Sequence, residues 1–433
     1  MNTKALFVLG FLFSIASATT PAFTIGTWGN FSTCAISHTF DDYGMSTVTN
    51  ITNSSTGRGA FDQYGFHMTI FVVTNWMSSN NISWALLDSA FAHGHEIASH
   101  SVTHPSGTMS SSELSPSQQT IKQKVPGEMC ATIAYPNCNT PGDADVLKYY
   151  IAGRNCSGST NAKSPSNFAE IGSQLSGSCC SMNDSAKLSA YANTAASSGG
   201  WAVYCHHGVG SDTHSYSVTN LDALKAHLKY LNNNRSTYWV ETFGNVARYI
   251  KERDAASVTV KSSSSSQITI TVTDNLADSI FNYPLSIRCG LPSGWTNPVV
   301  KQNGKTVYDT IITDNLTVTP TKYLMFKAVP NGGDVVLTGG SVNVFNSFAE
   351  SDFNGIVPVK KVRSTLIVDT KQFGGSAVSV TLINLQGKEL ARYNLAGTGR
   401  TYSLPFDKIS RSVFIARVFG AGKTYMGTFL PQP

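Results

Sequence analysis

The chain has 433 residues, 31 Lys and Arg against 26 Asp and Glu, a net charge of +5, and only 13% charged residues. So mild a balance does not imply a nucleic-acid partner, and the low charge with abundant Ser, Thr, Asn and Gly resembles exported proteins that act on neutral polymers. The length calls for more than one domain.

Residues 1–18 read as a secretory signal peptide: Lys4, the apolar run Ala5–Phe13 and the small-residue end Ala16-Ser-Ala18. This run is too short to span a membrane with its flanks, and no other apolar stretch approaches the needed length. A secreted or cell-surface, soluble and monomeric protein is expected. The sequons Asn50-Ile-Thr52 and Asn315-Leu-Thr317 are compatible with export.

From residue 19 to 254 strand-like and helical segments alternate, which argues for an α/β domain of parallel strands with helical crossovers. Asn220–Leu231 illustrates the helical part, with apolar residues at i, i+3 and i+4. Two strand-like segments end in chemistry. Cys34–Phe40 runs into Asp41 and Asp42, and Glu96–Ser99 runs into His100-Ser-Val-Thr-His104. Alone, two adjacent Asp residues read as a solvated turn, and two His at i and i+4 as a shared helix face. Together, at the C-terminal ends of strands where α/β folds place their reactions, Asp, His and His make a divalent metal site. Three protein ligands leave a position for water, as in a catalytic zinc. If Asp42 ligates, Asp41 beside it can accept a proton.

Eight cysteines in an exported chain suggest disulfides. At least one bridge is expected among Cys130, Cys138, Cys156, Cys179 and Cys180, with the adjacent Cys179 and Cys180 free to reach different partners. A cysteine-zinc site is the competing reading, but no paired C-x-x-C is present.

From Ala256 the pattern turns to period two, in Ser257–Lys261, Gln267–Thr273 and Lys322–Lys327, so residues 255–340 are expected to form an all-β accessory domain of β-sandwich type. The run Ser262–Ser266 reads as an exposed turn, since strand pattern flanks it. Residues 341–359 read as a linker. Residues 360–433 are β again, with Ser376–Leu385, a turn at Gln386-Gly-Lys388, Ser412–Val418 and a turn at Gly420–Thr424.

These residues resemble a known family, the polysaccharide deacetylases with a NodB homology domain, carbohydrate esterase family 4. Thr39-Phe-Asp-Asp42 is similar to its first motif, His100-Ser-Val-Thr-His104 to its second, and Gln63–Val72 to the segment that passes through Tyr-Gly into a strand. The resemblance implies a distorted (β/α) barrel, Asp41 as base, and Asp42, His100 and His104 as ligands of a divalent metal, zinc before cobalt or nickel. Ala134-Tyr-Pro-Asn137 occupies the third motif, keeping Pro136 but lacking the Arg that pairs with the catalytic Asp. Arg154, after the apolar Tyr149–Gly153, is the candidate substitute, with Tyr135 a further neighbour. The backbone N–H of Asn137 would face the oxyanion, since a backbone donor survives a side-chain change.

Gly200–Val209 resembles the late strand that ends in the His protonating the leaving group. The His-Gly pattern favours His207, and strand alternation sends His206 to the opposite face, packed or hydrogen-bonded. Asn167 and Asp212 are supporting candidates. The implied reaction is hydrolytic release of acetate from an acetylated polysaccharide, acetylxylan or an N-acetylhexosamine polymer, without the G-x-S-x-G elbow of a serine esterase. The alternative is a carbohydrate-binding protein on a weakened deacetylase scaffold, favoured by the missing third-motif Arg. The C-terminal residues resemble sorting domains of the type IX secretion machinery, and a generic β accessory domain fits nearly as well.

Overall fold

The computed structural model describes residues 21–45, 49–213, 215–295, 297–307, 309–314, 321–339, 359–362, 365–373, 375–384, 389–396, 400–405, 414–421 and 423–429. The expected leader, the sequon at Asn315, residues 341–358 of the expected linker and the turn Gln386–Lys388 lie outside them. Two compact units result, residues 294–297 and 340–433 forming the second.

In the first unit the strands are β1 (Phe23–Ile25), β2 (Cys34–Tyr43), β3 (Thr69–Val72), β4 (Glu96–Ser99), β5 (Thr132–Ala134), β6 (Ala152–Arg154), β7 (Gln174–Leu175), β8 (Trp201–His206), β9 (Gly208–Val209), β10 (Val218–Thr219) and β11 (Tyr238–Val240). The helices between them are α1 (Gly57–Asp62), α2 (Thr74–Ser79), α3 (Ala85–Ala92), α4 (Ser111–Lys124), α5 (Asp143–Leu147), α6 (Ser185–Ser198), α7 (Leu221–Asn233) and α8 (Phe243–Ala255). Strands β6-β5-β4-β3-β2-β8-β7 form one sheet, with β11 also paired to β2. Every pairing in it is parallel. The alternation of elements implied such parallel strands with helical crossovers, and the sheet is that of the distorted (β/α) barrel which the resemblance implied.

Strand β2 is central, and all ten of its residues are buried. A parallel strand covered on both faces needs such a run, and Ala35, Ile36 and Phe40 supply its apolar part. Its length lets two strands share it: β11 pairs along Cys34–Ile36 and β3 from Thr39 onward. The helices α6, α7 and α8 are capped by short polar side chains. Asp184 accepts from Lys187 N at 2.8 Å, and α6 ends at Gly199, whose φ of +65° suits a residue without Cβ. Asn220, expected within its helix, is instead the cap, accepting from Ala223 N at 2.9 Å. Behind it Leu224, His227, Leu228 and Leu231 are buried as one stripe, each leucine contributing about 2 kcal/mol relative to exposure.

The same unit continues into β12 (Ser257–Ser263), β13 (Gln267–Thr273), β14 (Leu285–Gly290), β15 (Val299–Gln302), β16 (Lys305–Thr306), β17 (Asp309–Asp314), β18 (Thr321–Ala328) and β19 (Val335–Thr338). They form two antiparallel sheets, β12-β13-β19-β15-β16 and β1-β14-β18-β17. In β13, Ile268, Ile270 and Val272 point inward at every second position, as period-two patterning requires. The serine run closes a hairpin, with Ser264 N donating to Gln267 O at 2.8 Å. Strand β1 pairs with β14 through Phe23 and Cys289. Residues 23–25, read from sequence with the barrel, therefore extend an accessory sheet. Tyr249 of α8 donates to Gly26 O at 2.8 Å and Arg248 Nε to Ile280 O at 2.7 Å, fastening barrel to sheets.

The second unit holds two antiparallel sheets. One joins Val359–Val362, Thr365–Asp369 and Thr401–Pro405; the other joins Glu389–Leu395, Val378–Asn384, Phe414–Gly420 and Lys423–Phe429. Leu366, Val368, Phe373, Val380, Leu382 and Val418 fill its core.

Candidate metal centre and active-site pocket

The C-terminal ends of β2, β4, β5, β7 and β8 border one cavity of about 310 Å³, lined by Asp41, Asp42, His100, His104, Tyr135, Asn137, Cys138, Cys156, Leu175, Cys205, His207 and Tyr216. Parallel strands present all their C-terminal ends on one side, so residues distant in sequence converge there. The backbone around it is held in an unusual state: Asp42, Ser101, His104, Asn137 and Cys138 all have φ between +54° and +68°. Non-glycine residues adopt this left-handed region only under constraint, and such positions gather at functional sites.

His100 Nε2 lies 3.4 Å and His104 Nε2 3.3 Å from the same atom, Asp42 Oδ1. That oxygen is buried and has no hydrogen-bond partner. His100 Nδ1 is 2.9 Å from Ala134 O. A carbonyl can only accept, so Nδ1 carries a proton and Nε2 is the nitrogen turned towards Asp42, the orientation that a metal-ligating imidazole needs. His104 is steadied by Trp76, stacked at 5.0 Å. A tetrahedral cation with bonds of about 2.0–2.2 Å to N and O would hold its donors roughly 3.3–3.5 Å apart. Both carboxylate–imidazole separations match that spacing and all three donors lie within 4.8 Å of one another, so the set suits a divalent metal. Burial pushes the Asp42 carboxyl up, but the imidazoles of His100 and His104 outweigh it and hold it well below the usual carboxylate range.

Sequence placed His100 and His104 at i and i+4, a spacing that on a helix shares one face. The structure builds it differently. His100 follows β4 directly and the segment to His104 is an irregular loop, fixed where His104 N donates to Ser101 Oγ at 2.9 Å and Glu113 accepts from Val102 N and Thr103 N, both at 2.9 Å.

Arg154, the last residue of β6, is fully buried and its guanidinium donates to Asp41 Oδ2 and, at 2.9 Å, to Ser173 Oγ. It also lies 5.4 Å from the centroid of the Phe71 ring. Thus a cation reaches Asp41 from the strand next to the one whose motif lacks it. Burial raises the Asp41 pKa, and Arg154, then His100 and His207, reverse this and keep it below the ordinary value.

The two adjacent histidines separate as alternation requires. His207 lines the pocket, with Nε2 3.9 Å from Asp42 Oδ2. His206 points away, its Nδ1 within reach of Ser176 Oγ at 2.6 Å and Thr219 Oγ1 at 2.9 Å, and its Nε2 3.0 Å from His38 Nδ1. Burial lowers both, His206 to about 3. His206 is a neutral, packed residue of the layer beneath the pocket.

Asn137 sits in the pocket wall, its side-chain amide donating to Pro105 O at 3.2 Å. Tyr135 lines the wall too, but its hydroxyl donates to Ala169 O across Gly153, where a Cβ would meet that hydroxyl at 1.8 Å. A disulfide joins Cys138 to Cys156 at the pocket edge. Cys179 and Cys180, expected to be free to reach separate partners, are bonded to each other, and Cys130 is a buried free thiol. Asn167 and Asp212 do not line the pocket. Asn167 caps the turn at Ala169, and Asp212 accepts from Val209 N at 2.9 Å and Asn50 N at 3.1 Å.

Three pocket residues escaped the sequence reading. Cys205 was accessible to it, because a residue two before His207 on a strand shares its face. Tyr216, 65% exposed with its ring 5.1 Å from that of His207, and Leu175 carry no such signal.

A family model described as polysaccharide deacetylase matches residues 29–148. The match supports a polysaccharide deacetylase domain in this stretch. A gellan lyase from Bacillus sp is 29% identical over 362 residues, covering 76% of this chain and 14% of that protein. The chain thus spans about a seventh of the length of this curated relative. Among solved structures, a family 4 acetyl xylan esterase from Clostridium thermocellum in complex with a cobalt ion is 16% identical with a TM-score of 0.34, covering 49% of this chain and 89% of that one. A peptidoglycan deacetylase from Bacillus subtilis is also 16% identical with a TM-score of 0.35, covering 51% and 92%.

Proposed function

We propose that this chain is a metal-dependent hydrolase that releases acetate from an acetylated polysaccharide. One observation carries the reading: a buried, unpartnered carboxylate oxygen of Asp42 faces two imidazole nitrogens, beside a second carboxylate already paired with a guanidinium. The polysaccharide deacetylase match and the likeness to a protein named gellan lyase support a glycan as substrate.

A divalent cation held by Asp42, His100 and His104, with zinc first and cobalt or nickel as substitutes, would bring the pKa of a water towards about 7 and polarise an acyl carbonyl. The chain's own residues do the rest. Asp41, kept ionised by Arg154, takes the proton of the attacking water. The backbone N–H of Asn137 donates to the oxyanion as it forms, in a wall that its left-handed turn and the Cys138–Cys156 bridge hold in place. His207 passes a proton to the departing sugar oxygen or nitrogen, and burial, which lowers its pKa, makes its protonated form the stronger acid. Tyr135 positions the wall by its hydrogen bond to Ala169.

The missing third-motif Arg was the feature that favoured a binding-only protein, and Arg154 removes that motive. The leader-like N-terminus and the Cys138–Cys156 bridge support export to the cell surface or medium, with the C-terminal unit as the part that would meet a secretion machinery. Incubation with zinc and acetylated xylan or chito-oligosaccharides should yield acetate. His100→Ala should lose metal by elemental analysis, and Asp41→Asn should keep metal and lose turnover. A metal-loaded protein that frees no acetate from any acetylated glycan would leave only the binding-only alternative.

A further inference from the structure

Beside the Asp42, His100 and His104 donors lies a second set that the reaction does not need as a unit. A carboxylate oxygen of Asp41, a ring nitrogen of His207 and the sulfur of Cys205 all lie within 4.8 Å of one another. All three residues line the same cavity. Asp41 Oδ1 and His207 Nδ1 are buried without any hydrogen-bond partner, in residues only 3% and 8% exposed. Buried polar atoms are rarely left so unless a water or an ion completes them. The sulfur of Cys205 is 3.4 Å from Asp41 Oδ2, and Arg154 donates to that same oxygen. The guanidinium thus occupies Oδ2 and leaves Oδ1 open.

We propose that Asp41, Cys205 and His207 form a second, inhibitory metal site, selective for a soft divalent cation such as zinc or cadmium. Thiolate and imidazole donors favour soft cations, whereas manganese and magnesium prefer all-oxygen surroundings. When the cation binds, the thiol proton passes to solvent and a sulfur lone pair forms the bond to the metal, with no electron transferred. The set then carries two negative charges against the one positive charge of Arg154, so it retains net attraction for the cation. Tetrahedral zinc holds N, O and S donors roughly 3.3–3.6 Å apart, against at most 4.8 Å across this set and 3.4 Å between the Cys205 sulfur and Asp41 Oδ2. The consequence rests on the function proposed above. The carboxylate that takes the water proton and the imidazole that returns one are both captured, so the metal that activates the enzyme at one equivalent stops it at two. The Asp42, His100 and His104 site alone would show no such reversal.

The test titrates the full-length chain, stripped with a chelator, with cadmium. Bound metal is counted by equilibrium dialysis, and thiolate-to-cadmium charge-transfer absorption is followed in the ultraviolet. Two equivalents should bind, the absorption should grow only with the second, and acetate release should rise and then fall. Manganese should bind once and cause no fall. Cys205→Ser should bind one equivalent, show no absorption and lose the falling phase, whatever its starting rate. Because that variant could fold poorly, the wild type carries its own readout. Cadmium NMR of the doubly loaded protein should show one resonance in the sulfur-ligated range and one in the nitrogen and oxygen range. A single equivalent in the wild type, or absorption that persists in Cys205→Ser and so belongs to Cys34, Cys130 or Cys289, overturns the proposal. The two readings fail separately. Loss of the sulfur signal leaves the Asp42 site standing, whereas full retention of the first equivalent in His100→Ala removes that site and leaves the sulfur signal to be judged alone.

Discussion

Replacing Arg154 with Met should destabilise the first unit strongly, and the structure bounds by how much. Arg154 is fully buried and Asp41 is 3% exposed, so the substitution leaves a carboxylate without its guanidinium in a dry site. Removing one partner of a buried pair costs about 3–5 kcal/mol. Asp41 can escape by taking a proton, and from an ordinary pKa near 3.9 that costs about 4 kcal/mol at pH 7, which sets the ceiling. With roughly 2–4 °C per kcal/mol for a domain of this class, Tm should fall by about 6–15 °C in a calorimetric or circular-dichroism melt.

The pH dependence gives an independent sign. In the wild type the Asp41 pKa lies below its unfolded value, so its contribution is present above the unfolded pKa and is lost as pH falls through the folded one. In the variant the folded pKa lies above the unfolded value, so acidification from pH 7 towards 5 should restore stability relative to wild type. Adding Asp41→Asn to Arg154→Met should recover most of the loss, because no unpaired charge remains. A Tm within about 2 °C of wild type at pH 7, or a double variant no more stable than the single, would refute the buried-pair account.

Separate Ala substitutions should divide the adjacent histidines: His207→Ala should abolish acetate release with little change in Tm, whereas His206→Ala, which removes the ring that Thr219 Oγ1, His38 Nδ1 and Ser176 Oγ all meet, should cost about 2–4 kcal/mol in urea unfolding. A larger turnover defect at His206, with its fold intact, would reverse the assignment. Replacing Cys138 and Cys156 by Ala opens a loop with a sequence separation of 18, worth about 3 kcal/mol by chain entropy, and should also slow turnover because the bridge borders the cavity. Equal rates in the two forms would detach the bridge from the site. His206 and His227 are each lowered by burial to about 3. Their folded pKa lies below the unfolded value near 6.5, so stability present above that value should decline on the order of 1 kcal/mol per pH unit for each as pH falls towards 3. His227→Gln should flatten the decline in denaturant melts between pH 7 and 4, and an unchanged slope would contradict it.

What could be read from sequence follows physical locality. The alternation of strands and helices in residues 19–254 gives parallel crossovers, and parallel crossovers place Asp41, Asp42 and His100 on one side of the sheet before any contact is known. Period two separated His206 from His207 and, carried two residues further back, would have found Cys205. Arg154 was nameable because it ends an apolar segment in a chain whose third motif lacks the Arg that pairs with Asp41, although a lone basic residue more often lies at the surface. Where several chain-distant segments must agree, the sequence is silent. Tyr216 reaches the cavity through a loop whose path no periodicity encodes, and Cys179 pairs with Cys180 by a local backbone choice. The three residues Phe23–Ile25 are too few to show a pattern, and their partner lies in β14.

That partnership orders the events of synthesis. Strand β1 is made before the barrel, yet the residues it bonds, Ile287 to Cys289, are made only after it. Phe23–Ile25 therefore have no ladder partner until β14 has been made, and their pairing is a clasp across the barrel's sequence. A cut after residue 255, which the sequence pattern invites, would strand Phe23–Ile25 beside the barrel with exposed N–H and C=O groups, ready to zip onto any neighbouring chain. Trimming this protein to its barrel should therefore begin at Gly26, whose carbonyl Tyr249 uses, so that the orphaned half of the clasp is removed together with the sheet it was made for.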